Sequence, residues 1–185
     1  LDSAGQRGIP VTLELGGKSP CVVFGDCAID MATKRIVWGK FFNAGQSCVA
    51  PDYLVIETRW KEKFLTAARK YIARFYGNDP QKSSSYARII SERHFDRLAG
   101  MLDDSTIEIG GKTDRNDRYI EPSILSVSQH GAACMKEEIF GPILPVLTFD
   151  SLNDAIETIR SYHDPLTLYV FTNDTRVQNI IMSRC

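Results

Sequence analysis

Cys48 closes the run Phe41-Phe42-Asn43-Ala44-Gly45-Gln46-Ser47-Cys48, just past the end of a predicted helix and ahead of Ala50-Pro51 and an apolar stretch. A thiol on a short loop with small residues in its approach can face a cleft and act as a nucleophile. Isolated cysteines are more often inert, and spacing alone favours that bland reading. Glu14 is the second candidate, set in Leu13-Glu14-Leu15-Gly16-Gly17-Lys18-Ser19-Pro20. A carboxylate buried with its leucine neighbours would gain proton affinity, which is what a general base needs near neutral pH. Alternatively, period-two alternation sends Glu14 outward, opposite Leu13 and Leu15. Gly17-Lys18-Ser19 does not complete a phosphate loop, because Thr12 stands where that motif requires glycine. No G-x-G-x-x-G occurs anywhere, so the usual dinucleotide fingerprint is missing too.

The elements that must position these residues alternate between short β-rich runs and longer amphipathic ones. Val11–Leu15, Pro20–Phe24, Tyr53–Glu57, Thr106–Ile109, Ile143–Phe149 and Leu166–Thr172 read as strands. Helices are predicted from about Asp30 to Asn43, through Phe64, Leu65, Ala68, Ile72 and Phe75, and from Ser91 through Leu98. Ser151 and Asp154 suit a capping box, with Leu152, Ala155, Ile156 and Ile159 as the buried stripe behind it. A last helix starts near Asp174 with Val177, Ile180 and Ile181 on its apolar face, and no capping glycine follows before Cys185. Strands and helices alternating without repeats predict one layered α/β unit.

Bulk properties narrow the function classes. A chain of 185 residues can bury one sizeable core. A formal net charge of −1 gives no broad field for phosphate backbones or anionic lipid, so nucleic acid and membrane are not expected partners. No apolar run approaches a membrane span, and Leu1 to Arg7 lack the make-up of a signal peptide. The five cysteines, at 21, 27, 48, 134 and 185, are odd in number and form no C-x-x-C pair, which fits a reduced, cytoplasmic setting. His94, His130 and His163 do not sit at ligand spacing from them, so no metal is expected.

Three stretches, Leu13-Glu14-Leu15-Gly16-Gly17-Lys18-Ser19-Pro20, Gly45-Gln46-Ser47-Cys48 and Glu137-Glu138-Ile139-Phe140-Gly141-Pro142, together resemble the signatures of the NAD(P)-dependent aldehyde dehydrogenases, in their order and separations. Val49 to Tyr53, Ser85 to Ile90 and Pro165 to Phe171 are similar to the class 3 branch, which includes fatty-aldehyde and aromatic-aldehyde enzymes. The resemblance implies an open, twisted, mainly parallel sheet with helices on both faces, and NAD or NADP as cofactor. It implies that Cys48 adds to an aldehyde, that its own backbone N–H helps hold the resulting oxyanion, and that Glu14 activates the water that releases the acid. Glu138 would accept hydrogen bonds from the nicotinamide ribose, Phe140 would pack against that end of the cofactor, and Leu15 and Gly16 would line the nicotinamide pocket. Read without the resemblance, Glu137-Glu138 is a solvated acidic pair, Phe140 a core residue and the diglycine a plain turn.

Family members are much longer. By the resemblance, residues 1–185 are the catalytic, cysteine-bearing domain, truncated at Cys185. The N-terminal NAD(P)-binding domain, the asparagine that completes the oxyanion hole, and the C-terminal arm that builds homodimers or homotetramers would then all lie elsewhere. Two further readings compete: a cysteine hydrolase or esterase with His130 or His163 as base, and a non-catalytic structural domain.

Overall fold

A computed structural model describes residues 2–14, 16–103, 105–128, 131–162 and 165–185. After a single helical turn, α1 (Asp2–Gly5), the chain runs through β1 (Pro20–Val23), α2 (Ile29–Phe41), β2 (Tyr53–Glu57), α3 (Lys61–Tyr76) and α4 (Glu92–Ala99). Four short strands follow, β3 (Thr106–Ile109), β4 (Thr113–Asp114), β5 (Tyr119–Ile120) and β6 (Ser123–Ser126). The last part comprises α5 (Ala133–Lys136), β7 (Ile143–Phe149), α6 (Leu152–Arg160), β8 (Tyr169–Phe171) and α7 (Thr175–Arg184).

Six strands form one sheet in the order β3-β6-β7-β2-β1-β8, while β4 and β5 make a separate two-stranded ladder. Every pairing in the large sheet is parallel except that of β3 with β6. Consecutive residues of β1 and β2 are all buried, from Cys21 to Val23 and from Tyr53 to Ile56. Neighbouring side chains on a strand point to opposite faces, so both faces of the sheet centre are covered, as the α/β expectation requires. α2 packs against α3, and α6 against β7 and α7.

Local chemistry explains most of these elements. α3 buries Phe64, Leu65, Ala68, Tyr71 and Ile72 along one stripe and ends at Gly77, whose φ of 79° suits glycine. α6 starts with the expected capping box: Ser151 Oγ accepts from Asp154 N at 3.2 Å, and an Asp154 carboxylate oxygen accepts from Ser151 N at 3.0 Å. Such a cap stabilises a helix by about 1 kcal/mol. Ser91 and Asp174 cap α4 and α7 in the same way with one side-chain bond each.

Several expectations need correction. Val11 to Glu14 form no strand, and Val11 and Leu13 are 48% and 57% exposed. A β-rich run becomes a strand only where a neighbour accepts its hydrogen bonds, and none of the described strands pairs with this one. β8 keeps only Tyr169–Phe171 of the longer run expected, since it is paired with β1 alone at the sheet edge. β4, β5, β6 and the one-turn α5 were not foreseen. β6 carries serine at both ends, yet it is fixed on both sides by β3 and β7.

Candidate active site

The three signature stretches enter the sheet at the amino ends of three adjacent parallel strands. Gly16-Gly17 precedes β1, Cys48 precedes β2 and Glu138 precedes β7, and these strands stand side by side in the order β7-β2-β1. A buried ion pair ties the three approaches together. Lys18 Nζ contacts the Asp52 carboxylate and also donates to the backbone carbonyls of Cys134 and Glu137, each at 2.9 Å. The other Asp52 oxygen accepts from Ile139 N at 2.9 Å, while Asp52 N donates to Ser19 O at 2.8 Å. With its hydrogen-bonding capacity filled in this way, the pair can tolerate burial.

The Cys48 loop is built by a backbone reversal after α2. Asn43, Ala44 and Gly45 all have positive φ, at 50°, 52° and 71°. An alanine in this region costs roughly 1–2 kcal/mol, so surrounding bonds must enforce it. Gln46 supplies them: its Nε2 donates to Asn43 O at 3.1 Å and Arg88 O at 3.0 Å, and its Oε1 accepts from Ile90 N at 3.0 Å. Asn43 Nδ2 returns a bond to Gln46 O at 3.1 Å. A Cβ on Gly45 would lie 2.2 Å from Gly141 O, so only glycine lets this loop press on the Glu138 segment. Cys48 emerges half-buried. Its neighbours Ser47 and Val49 line an apolar cleft of about 540 Å³ with Trp38, Phe42, Tyr169 and Phe171.

α4 fixes the Glu138 segment by its main chain. His94 Nε2 lies 2.7 Å from Phe140 O, and Arg97 reaches the carbonyls of Glu138 and Ile139 and the Glu137 carboxylate. Phe140 is thereby held at a φ of 50° and is 38% exposed, so it is not a core residue. Glu138 meets the diglycine: a Cβ on Gly16 would sit 2.6 Å from its Oε2. Burial raises the Glu138 carboxyl above the ordinary range, and the charges of Asp52 and Glu14 push the same way. The Gly17 N–H and Lys18 oppose that shift.

The model of the aldehyde dehydrogenase family matches residues 1–184. The chain belongs to the aldehyde dehydrogenase family. It is 44% identical over 184 residues to mouse aldehyde dehydrogenase family 3 member B2, covering 100% of this chain and 38% of that relative. It is 45% identical to the rat dimeric NADP-preferring aldehyde dehydrogenase, covering 96% of this chain and 39% of the relative. Among solved structures, the substrate-bound state of Staphylococcus aureus AldH superposes with a TM-score of 0.92 at 42% identity, over 98% of this chain and 40% of that one. The chain therefore spans about two-fifths of the length of these aldehyde dehydrogenases, and it has class 3 character.

Of the residues named from sequence in this aldehyde dehydrogenase chain, Gly16, Glu138 and Phe140 lie on segments that meet directly or through α4. Cys48 joins them through the contact of Gly45 with Gly141. Glu14 is exposed rather than buried. Among the described residues its one hydrogen bond is local, accepted from Gly16 N at 2.9 Å, and none joins it to Cys48. Leu15, His130 and His163 lie outside the described residues. His94 is engaged by Phe140 O and Arg97 rather than by a cysteine. Among the described residues no three His, Cys, Asp or Glu side chains form a metal site, and no helix is long and apolar enough to cross a membrane.

Sequence reasoning missed Lys18, Asp52, Gln46, His94 and Arg97. His94 and Arg97 had a usable signal, since a spacing of three on a helix puts both on one face. Asp52 gave only a faint one, as a lone acid ahead of a strand.

Proposed function

We propose that the full-length protein oxidises aldehydes to carboxylic acids with NAD or NADP. The observation that carries this reading is the convergence of Cys48, Gly16-Gly17 and Glu138 at the amino ends of three neighbouring strands, beside an apolar cleft. Cys48 Sγ adds to the carbonyl carbon of an aldehyde whose organic part lies in that cleft, and the oxygen takes up the negative charge. The Cys48 backbone N–H stabilises that charge. Loss of hydride from the same carbon leaves a thioester on Cys48. Glu14 then takes a proton from the water that cleaves it, releasing the acid and the thiol.

The residues present suit a nicotinamide cofactor. The Glu138 carboxylate offers an acceptor beside Gly16, Gly16 allows close backbone approach, and Phe140 is exposed for packing. When bound, NAD(P)+ supplies the hydride acceptor. Glu138 would hold the ribose hydroxyls, Phe140 would pack beside them, and Leu15 and Gly16 would line the nicotinamide pocket.

Residues 1–185 form the catalytic domain in this reading. Adenosine-side contacts and the remainder of the oxyanion hole come from other parts of the protein, as do the contacts that bring Glu14 onto the deacylating water. The protein works in the cytoplasm as a homodimer or homotetramer, which the name of the dimeric rat relative supports. The test is aldehyde-dependent NAD(P)H production by the full-length protein and its Cys48→Ser and Glu14→Gln variants. Complete loss in the first, and a first-turnover burst followed by slow turnover in the second, are expected. Unchanged steady-state rates in either variant would overturn the assigned roles.

A further inference from the structure

Lys40 lies in the last turn of α2, one turn before the nucleophile loop, and 0% of its surface is exposed. Among the described residues its Nζ has no hydrogen-bond partner. A buried ammonium without a bonded partner is among the more costly features a fold can retain. The titratable groups whose charges act on it come from four separate elements. They are Asp52 ahead of β2, Lys18 ahead of β1, Cys134 on α5 and Glu138 ahead of β7. Lys18 and Asp52 already neutralise each other. Lys40 adds a second positive charge to the one that Lys18 sets against the Asp52 and Glu138 carboxylates.

We propose that Lys40 is a positioning residue for the cofactor side of the site, its enclosed positive charge holding the Asp52–Ile139 link and the Glu138 carboxylate in the geometry that receives the nicotinamide ribose. This rests on the dehydrogenase reading above. Lys40 also sits on the helix that leads into the Cys48 loop, so one side chain couples the nucleophile loop to the cofactor segment. Burial outweighs the attraction of Asp52 and lowers the Lys40 amine to about 8, with Lys18 acting in the same direction. The charge is therefore present at neutral pH and lost as pH rises through that value.

The experiment measures NAD+ and NADP+ affinity by calorimetry, and KM and kcat with an aromatic aldehyde, from pH 6.5 to 9.5. It compares the full-length protein with its Lys40→Met and Lys40→Gln variants. Met preserves volume without charge, and Gln remains as a second neutral variant should Met fail to fold. The native protein is expected to lose cofactor affinity several-fold as pH rises through about 8. Both neutral variants are expected to bind weakly at all pH values, with KM for the cofactor raised more than kcat is lowered. A neutral variant with native affinity and a native pH profile would overturn the proposal, showing Lys40 to be packing alone. A native protein that binds neither nucleotide would instead overturn the dehydrogenase reading itself.

Discussion

The two residues assigned to covalent chemistry sit in segments of opposite character. Cys48 follows a three-residue reversal pinned by Gln46 and pressed against Gly141, whereas Glu14 follows an exposed, irregular stretch and is held by one local bond to Gly16. Both precede a central strand of the same sheet, so topology alone does not account for the difference. The Cys48 loop is fixed by bonds from its own Gln46 side chain to the main chain of a neighbouring loop. The Glu14 segment has no such bonds among the described residues. Position in a fold thus supplies proximity, and a dedicated hydrogen-bond framework supplies geometry.

The comparison breaks first if the shared anchor is removed. Lys18→Met or Asp52→Leu alone leaves a buried charge without its partner and should cost about 3–5 kcal/mol, seen as a fall in the urea midpoint. The double replacement should recover much of that loss. Equal losses in single and double variants would show that the pair is not the tie between the three stretches.

Lys40→Met should act in the opposite direction. Its amine lies near 8 in the fold against 10.5 as a reference, so the unfolded chain holds the proton more tightly. Native stability must then rise with pH between those two values, by roughly 3 kcal/mol at 1.36 kcal/mol per unit. The variant should be more stable at pH 7 and lack that rise. Denaturation series at pH 7, 8, 9 and 10 decide it.

Gln46→Ala sharpens the comparison at the nucleophile itself. Three bonds to the loop are lost and the Ile90 N–H loses its acceptor, so destabilisation of about 1–3 kcal/mol is expected, together with slower alkylation of Cys48. The smallest effect belongs to Glu14→Ala in the 185-residue chain, where stability should stay within about 0.5 kcal/mol of the parent value. A larger loss would mean that the Glu14 segment is more firmly held than its exposure indicates.

Much of the scaffold was legible because local signals and tertiary packing agreed. Ser151 and Asp154 formed the capping box their spacing suggested, and Tyr53–Glu57 became a strand buried on both faces. Val11 to Glu14 misled because β propensity says nothing about whether a partner strand exists. Ser123–Ser126 was missed because β6 is specified by its neighbours rather than by its own pattern. The resemblance pointed to Cys48, Glu138 and Gly16 as site residues, whereas Lys18, Asp52, Gln46 and Arg97 became visible only once distant segments were placed together. Hydrogen bonds between residues such as Gln46 and Ile90 leave no periodicity in a chain.

The most direct measurement is the order in which the five cysteines of the 185-residue chain react with iodoacetamide, read peptide by peptide across pH. Cys21 and Cys134 are buried and their thiols are pushed up by that burial, while Cys185 is exposed and is the natural competitor. If the loop built by Gln46 and Gly45 prepares a nucleophile, Cys48 should be labelled ahead of Cys185 despite being less exposed, and Gln46→Ala should remove that lead. Labelling of Cys48 no faster than Cys185, unchanged by Gln46→Ala, would contradict the claim that these residues preorganise the site.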